Sequence, residues 1–314
     1  MLPTIPLDLQ CPIDPVISPY AEDAHNWLDG WTRSHGMPDV FADRLAEGRI
    51  ARYAARLYPD ASRDDLRVLA ALFTWFFLVD DECDRTSVPE PERVRALVGG
   101  ALSLLRGESP AGGRALPGLL GAMLADAWRE PNRRMPARWR ARFVAAVEHH
   151  LGGVIVEARN KAGGHRPGIE EYIELRRATS AAYVAHTLID FAGGGQPVSE
   201  AFYRHPAVRA FSRTGNDLLS WFNDLLSLER DETSAGGHNL VLAVAAERRV
   251  PVEEAVAAAR ERWRRTMREF PSLRAAVPPH GAAGRRYLDG VEYAVRGTMD
   301  WSYESARYTA LQSR

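Results

Sequence analysis

Residues 66–84 read LRVLAALFTWFFLVDDECD, and the way this stretch repeats decides the fold. Leu66, Leu69, Leu72, Phe73 and Phe76 recur at steps of three and four, the spacing of one face of an α-helix. Val68 to Val79 is the longest nearly apolar run in the chain; Thr74 interrupts it, and it is too short to cross a bilayer, which takes about 20 apolar residues. A helix this apolar is buried on several sides, and it ends on four acids in five residues, Asp80, Asp81, Glu82 and Asp84.

The same texture extends outward. Segments rich in Ala, Leu, Arg and Glu, all strong helix formers, alternate with Pro/Gly-rich breaks at 89–91, 107–118, 131–136, 163–168, 193–197, 236–237 and 278–284. Alternating strand patterns and Asn-Gly hairpin turns are missing. The sequence therefore predicts an all-α protein of about ten helices, the longest near 63–85, 136–160, 170–192, 203–231, 251–270 and 284–309. No break is long or polar enough to separate domains. The expected organisation is a Pro-rich extended arm over 1–19 and a single domain over 20–314.

Composition narrows the function. The 314 residues carry 40 Lys+Arg against 41 Asp+Glu, a formal net charge of -1, so no basic field invites nucleic acid. The first residues, MLPTIPLDLQCPIDP, hold neither a basic nor an apolar leader region and read as neither signal nor transit peptide. Cys11 and Cys83 are the only cysteines, which suits a reducing compartment, and a cytoplasmic location is expected.

Asp80 and Asp84 lie one helical turn apart on one face, with Asp81 flanking them. Carboxylates this close raise one another's pKa unless a cation neutralises them, and hard oxygen donors suit Mg²⁺ or Mn²⁺ better than zinc. By itself such a cluster is most often a solvated helix end. Here it follows Trp75, Phe76 and Phe77, which places it at a cavity mouth. A second set, Asn223, Ser227 and Asp231, steps by four residues within NDLLSLERDE and shares one helical stripe. Alone it could be a polar seam between helices. Two oxygen stripes on separate helices can instead clamp a small metal cluster, and Mg²⁺ fills the rest of its shell with water and phosphate. Arg176, Arg177, Arg230 and the pair Arg307-Tyr308 are candidate anion donors.

Together these residues resemble the bacterial class I terpene synthases, or terpene cyclases. DDECD matches that family's aspartate-rich motif and NDLLSLERD its second metal motif. Arg177, 46 residues before Asn223, matches its diphosphate-sensing arginine, and Arg307-Tyr308, 84 residues after Asn223, its C-terminal pair. ARLYPDA, HNLV and RGTMDWSYESARY also look like this family, so the resemblance runs from about residue 19 to 308. It implies a class I terpenoid synthase-like helical bundle around a central apolar cavity, three Mg²⁺ ions and a linear isoprenyl diphosphate substrate. Farnesyl diphosphate is the first expectation, with a diterpene synthase acting on geranylgeranyl diphosphate as the alternative.

Residue by residue, the resemblance implies Asp80, Asp84, Asn223, Ser227 and Asp231 as metal ligands and Arg177, Arg230, Arg307 and Tyr308 as the diphosphate grip. Asp81 would hydrogen-bond to Arg177 or Arg307 in a closed state, and 86–91 and 231–238 would move on closure. Phe76, Phe77 and Trp301 are the expected aromatic wall for a carbocation, with Ala181 beside them. The chain departs from the family's pattern at Asp231, where glutamate is commoner, and at Ala181, where glycine is usual at a helix break. A chain-elongating prenyltransferase and a non-enzymatic helical scaffold are the rival readings, and a homodimer is left open.

Overall fold

In a computed structural model, residues 9–84, 90–108, 116, 118–233 and 238–305 are described, Asp84 and Thr233 by their backbone alone. They form fourteen helices and no strand. The long predicted helices are present as α4 (Arg63–Asp84), α7 (Ala137–Gly163), α11 (Pro206–Thr233), α13 (Val252–Ala275) and α14 (Ala282–Glu304). The expected helix at 170–192 is two helices, α8 (Ile169–Thr179) and α9 (Ala182–Ala192). The expectation of about ten helices was low, because it passed over short pieces such as α1 (Ala21–Ser34), α2 (Asp39–Glu47) and α3 (Ile50–Leu57). Pro131 does not end α6 (Gly118–Arg134) but falls in its last turn.

The breaks work through cap chemistry. Pro91 opens α5 (Pro91–Arg106), where the missing N–H costs nothing, and Gly107 closes it with a left-handed φ of 69°. Asn239 caps α12 (Leu240–Arg248) by accepting the Val241 N–H at 2.8 Å. Of the arm, residues 9–19 carry no helix; they lie on the bundle, with Ser18 N–H on Ala55 O at 3.0 Å and the Arg296 guanidinium on Ile13 O at 3.0 Å.

α11 lies between α13 and α14, while α4 packs on α3 and α6, and α14 on α3 and α9. Tryptophans lock these pairs. Trp75, Trp139 and Trp263 are fully buried, so each indole N–H needs a partner, and each finds a carbonyl on another helix: Leu120 at 2.9 Å, Thr187 at 3.0 Å and Leu218 at 2.9 Å. The arrangement brings the C-terminal halves of α4, α11 and α14 and the α8–α9 break around one cavity. No helix is long and apolar enough to cross a membrane among the described residues.

Candidate active site

Phe73, Phe76, Phe77 and Asp80 occupy positions i, i+3, i+4 and i+7 of α4, so one face of that helix presents three aromatic rings and then a carboxylate. All four line a cavity of about 180 Å³. Trp301 from α14 closes the aromatic side, its ring stacked on Tyr53 at 4.4 Å and 5.5 Å from Phe77. Ala181 and Ala182 also line the cavity.

α11 supplies the opposite wall with Leu219, Asn223 and Arg230. Asp80 and Asn223 therefore stand on two helices but open onto one space. One turn beyond Asn223, the buried Ser227 hydroxyl donates to the Asp231 carboxylate at 2.6 Å. The same carboxylate accepts from Arg230 Nε at 3.2 Å and Asn239 Nδ2 at 3.0 Å. Asp81 is half-buried and does not line the cavity. The expected roles of the Asp84 side chain, Arg307 and Tyr308, and most of the expected moving segments, fall outside the described residues.

The arginine pair divides. Arg176 and Thr179, three residues apart, turn to the cavity, whereas Arg177, offset by about 100° on the helix, turns away from it. Arg177 grips Asp217 on α11 through two bonds, Nε to Oδ1 at 2.7 Å and Nη2 to Oδ2 at 2.8 Å, and also pairs with Glu174. In this conformation the expected diphosphate-sensing guanidinium is engaged elsewhere, and its neighbour takes the place on the wall. Arg176 donates to Asn223 Oδ1 at 2.9 Å and to Asp224 Oδ1 at 2.8 Å. Burial opposes the Arg176 charge most, but the Asp224 carboxylate, with Tyr172 and Glu157 adding to it, holds the guanidinium protonated.

Asp224 is a residue the sequence reading missed. It sits one position past Asn223 on the buried side, accepting from Tyr172 Oη at 2.8 Å and Leu240 N at 3.1 Å, so it ties α8 and α12 to α11. Asn239 is another: its Nδ2 bridges Asp224 O at 2.7 Å and Asp231 Oδ2. The HNLV stretch signalled Asn239 as a family feature without signalling this contact.

The α8–α9 break is built by side chains. Ala181 holds φ 57° and ψ 8°, a left-handed conformation that costs a non-glycine residue about 1–2 kcal/mol. Ending α8 frees its last carbonyls, and each needs a donor. Asn216 Nδ2 donates to Arg177 O at 2.9 Å, and His150 Nδ1 meets Ala178 O at 3.1 Å. Ser180 Oγ donates to Asn216 Oδ1 at 2.8 Å and accepts from Ala182 N at 3.2 Å. Gly153 permits the approach of α7, since a Cβ there would stand 2.6 Å from the Ala178 Cβ.

The donor set fits a hard divalent cation. Asp80 and Asn223 offer a carboxylate and an amide oxygen to one cavity, and Ser227 and Asp231 add a hydroxyl and a carboxylate one turn away. Cationic donors, Arg176 and Arg230, share the same wall. Such a site can bind an anion at its polar end while an apolar tail lies against the aromatic rings.

The chain is similar to known proteins over most of its length. Residues 71–269 match the family model described as terpene synthase family 2, C-terminal metal binding. The chain is 31% identical to 10-epi-cubebol synthase of Sorangium cellulosum, with 98% of this chain and 99% of the relative covered. It is 28% identical to a (+)-T-muurolol synthase of Roseiflexus castenholzii described as farnesyl diphosphate cyclizing, with 95% and 92% covered. The solved structure of germacradien-4-ol synthase from Streptomyces citricolor superposes with a TM-score of 0.79 at 25% identity, with 95% of this chain and all of that one covered. A match over most of the chain, on an all-α bundle with a cavity between two oxygen-bearing helices, means that the chain belongs to the bacterial class I terpene synthase family.

Proposed function

We propose that this terpene synthase ionises farnesyl diphosphate in the presence of Mg²⁺ and cyclises the resulting cation to a sesquiterpene hydrocarbon or alcohol, releasing diphosphate. The observation that carries the reading is the opening of Asp80 and Asn223, on facing helices, onto one cavity walled by Phe76, Phe77 and Trp301. The C15 substrate is favoured over geranylgeranyl diphosphate by the substrate in the name of the Roseiflexus relative.

Asp80 and Asp84 on one side, and Asn223, Ser227 and Asp231 on the other, would hold the metal ions, three by analogy with the family. Bound there, Mg²⁺ supplies Lewis-acid neutralisation of the departing diphosphate. Arg176 and Arg230 donate N–H bonds to diphosphate oxygens from the cavity wall. Arg177 joins them by exchanging Asp217 for the anion, and Arg307 and Tyr308 complete the grip. Asp81 accepts from one of these arginines once the site closes. With the anion held, the allylic C–O bond breaks and its electron pair leaves with diphosphate. The aromatic rings of Phe76, Phe77 and Trp301 then offer their negative faces to the cation, each worth about 0.5–2 kcal/mol. The apolar wall excludes water until the ring system has formed.

The test is incubation of the purified chain and Mg²⁺ with C10, C15 and C20 isoprenyl diphosphates in turn, products read by gas chromatography–mass spectrometry. Consumption of the C15 substrate to a cyclic terpene is expected. Turnover of none of them, or a longer diphosphate formed only when isopentenyl diphosphate is added, would refute the proposal.

A further inference from the structure

His150 sits on α7 with its ring on the cavity wall. Its Nδ1 lies 3.1 Å from the Ala178 carbonyl oxygen. A carbonyl only accepts, so Nδ1 carries the proton, and the tautomer leaves a lone pair on Nε2. No described residue hydrogen-bonds to Nε2, and it is not sealed in protein as the partnerless Nε2 of buried His186 is. Phe76 packs edge-on against the ring at 5.7 Å, which sets the imidazole beside the aromatic wall one turn below Asp80. The other uncharged polar side chains on the wall are hydroxyls, the Asn223 amide and the Trp301 indole, whose N–H only donates. Among the described lining residues, His150 is the one neutral nitrogen base.

We propose that His150 is the proton acceptor that ends the reaction, taking at Nε2 the proton that the cyclised cation loses. The inference rests on the cyclase reading above. In the step, a C–H bond next to the cationic carbon breaks, and its electron pair becomes the new C=C bond. The proton bonds to Nε2, and the imidazolium then passes it to water or to the released diphosphate. Where water has bonded the cation instead, the proton comes from its oxygen and the product is an alcohol. Burial among apolar neighbours, with His149 and Arg176 adding to it, holds the imidazole down to about 4. The ring is therefore neutral before the step, and gives the proton up readily after it.

His150 also ties α7 to the end of α8, so the variants must separate the two roles. His150→Asn keeps an N–H donor for Ala178 O and removes the base; His150→Phe removes both. Each full-length variant is assayed with farnesyl diphosphate and Mg²⁺ for diphosphate release, for product ratio and for melting temperature. In His150→Asn the main wild-type product is expected to fall by about tenfold or more relative to the others, with diphosphate release kept within about threefold. In His150→Phe the same redistribution is expected, accompanied by a lower melting temperature. An unchanged product ratio in either variant with diphosphate still released would overturn the proposal and leave His150 a structural residue. Diphosphate release by the unaltered chain reports the cyclase reading separately.

Discussion

Replacing Trp301 with phenylalanine opens the cavity wall at a place where the losses can be counted. The ring is 2% exposed, and its Nε1–H donates to Gly48 O at 2.9 Å. Phenylalanine cannot donate, but Gly48 O still accepts from Ser305 Oγ at 3.0 Å, so no buried acceptor is orphaned. The loss is then one net hydrogen bond, about 1 kcal/mol. The smaller ring also leaves roughly 40 Å³ unfilled, which at about 24 cal/mol per Å³ adds about 1 kcal/mol. For a chain of 314 residues, about 2 kcal/mol lowers the melting temperature by about 3 °C. The stack on Tyr53 is loosened at the same time, and the enlarged wall lets the cation fold in more than one way. Thermal melting and product analysis by gas chromatography–mass spectrometry read the two consequences. An unchanged melting temperature together with an unchanged product ratio would refute the assignment of Trp301 to the wall.

Two further outcomes follow from buried groups and backbone. His150 and His186 are held down by burial, to about 4 and about 3, from an ordinary value near 6.5. The unfolded chain therefore binds protons that the folded one refuses, and the stability these residues supply is complete above about pH 6.5 and lost as pH falls toward about 4 for His150 and about 3 for His186. At pH 5 the loss is about 2 kcal/mol for each. Urea unfolding at pH 7.5 and pH 5 measures it; His186→Leu should remove about half of the dependence contributed by the pair, and an undiminished dependence would contradict the assignment. Ala181→Gly relieves a left-handed alanine and should raise stability by about 1 kcal/mol in the same assay, whereas a loss would mean that the break is set otherwise than by its φ of 57°.

The long helices could be read from periodicity because their apolar faces are continuous. α4 and α11 need burial on several sides, and the sequence says so in runs such as LFTWFFLV. Phe76 and Phe77 could be read as wall candidates because they directly precede the acids at Asp80, and Asn223 was singled out by its spacing to Ser227 and Asp231. The α8–α9 break was not legible from the residues themselves, since RRATSAAY contains neither Gly nor Pro, and only the family resemblance pointed to a helix break at Ala181. It is imposed from outside, by Asn216 on the Arg177 carbonyl and Ser180 on Asn216. The division of labour between Arg176 and Arg177 was hidden for a related reason. Adjacent residues on a helix face different neighbours, and only the position of Asp217 and Asp224 on α11 shows which neighbour each one meets. Asp224 falls inside NDLLSLERD without having been singled out there, and its bonds make it a tie between helices.

The central claim is that oxygens of α4 and α11 jointly hold a metal-bound diphosphate. Calorimetric titration with inorganic diphosphate tests it most directly, with and without Mg²⁺, on the unaltered chain and on Asp80→Ala and Asn223→Ala. Binding that needs Mg²⁺ and weakens by about tenfold or more in each variant, while circular dichroism stays helical, is the predicted result. Equal binding without Mg²⁺, or full affinity in both variants, would contradict it.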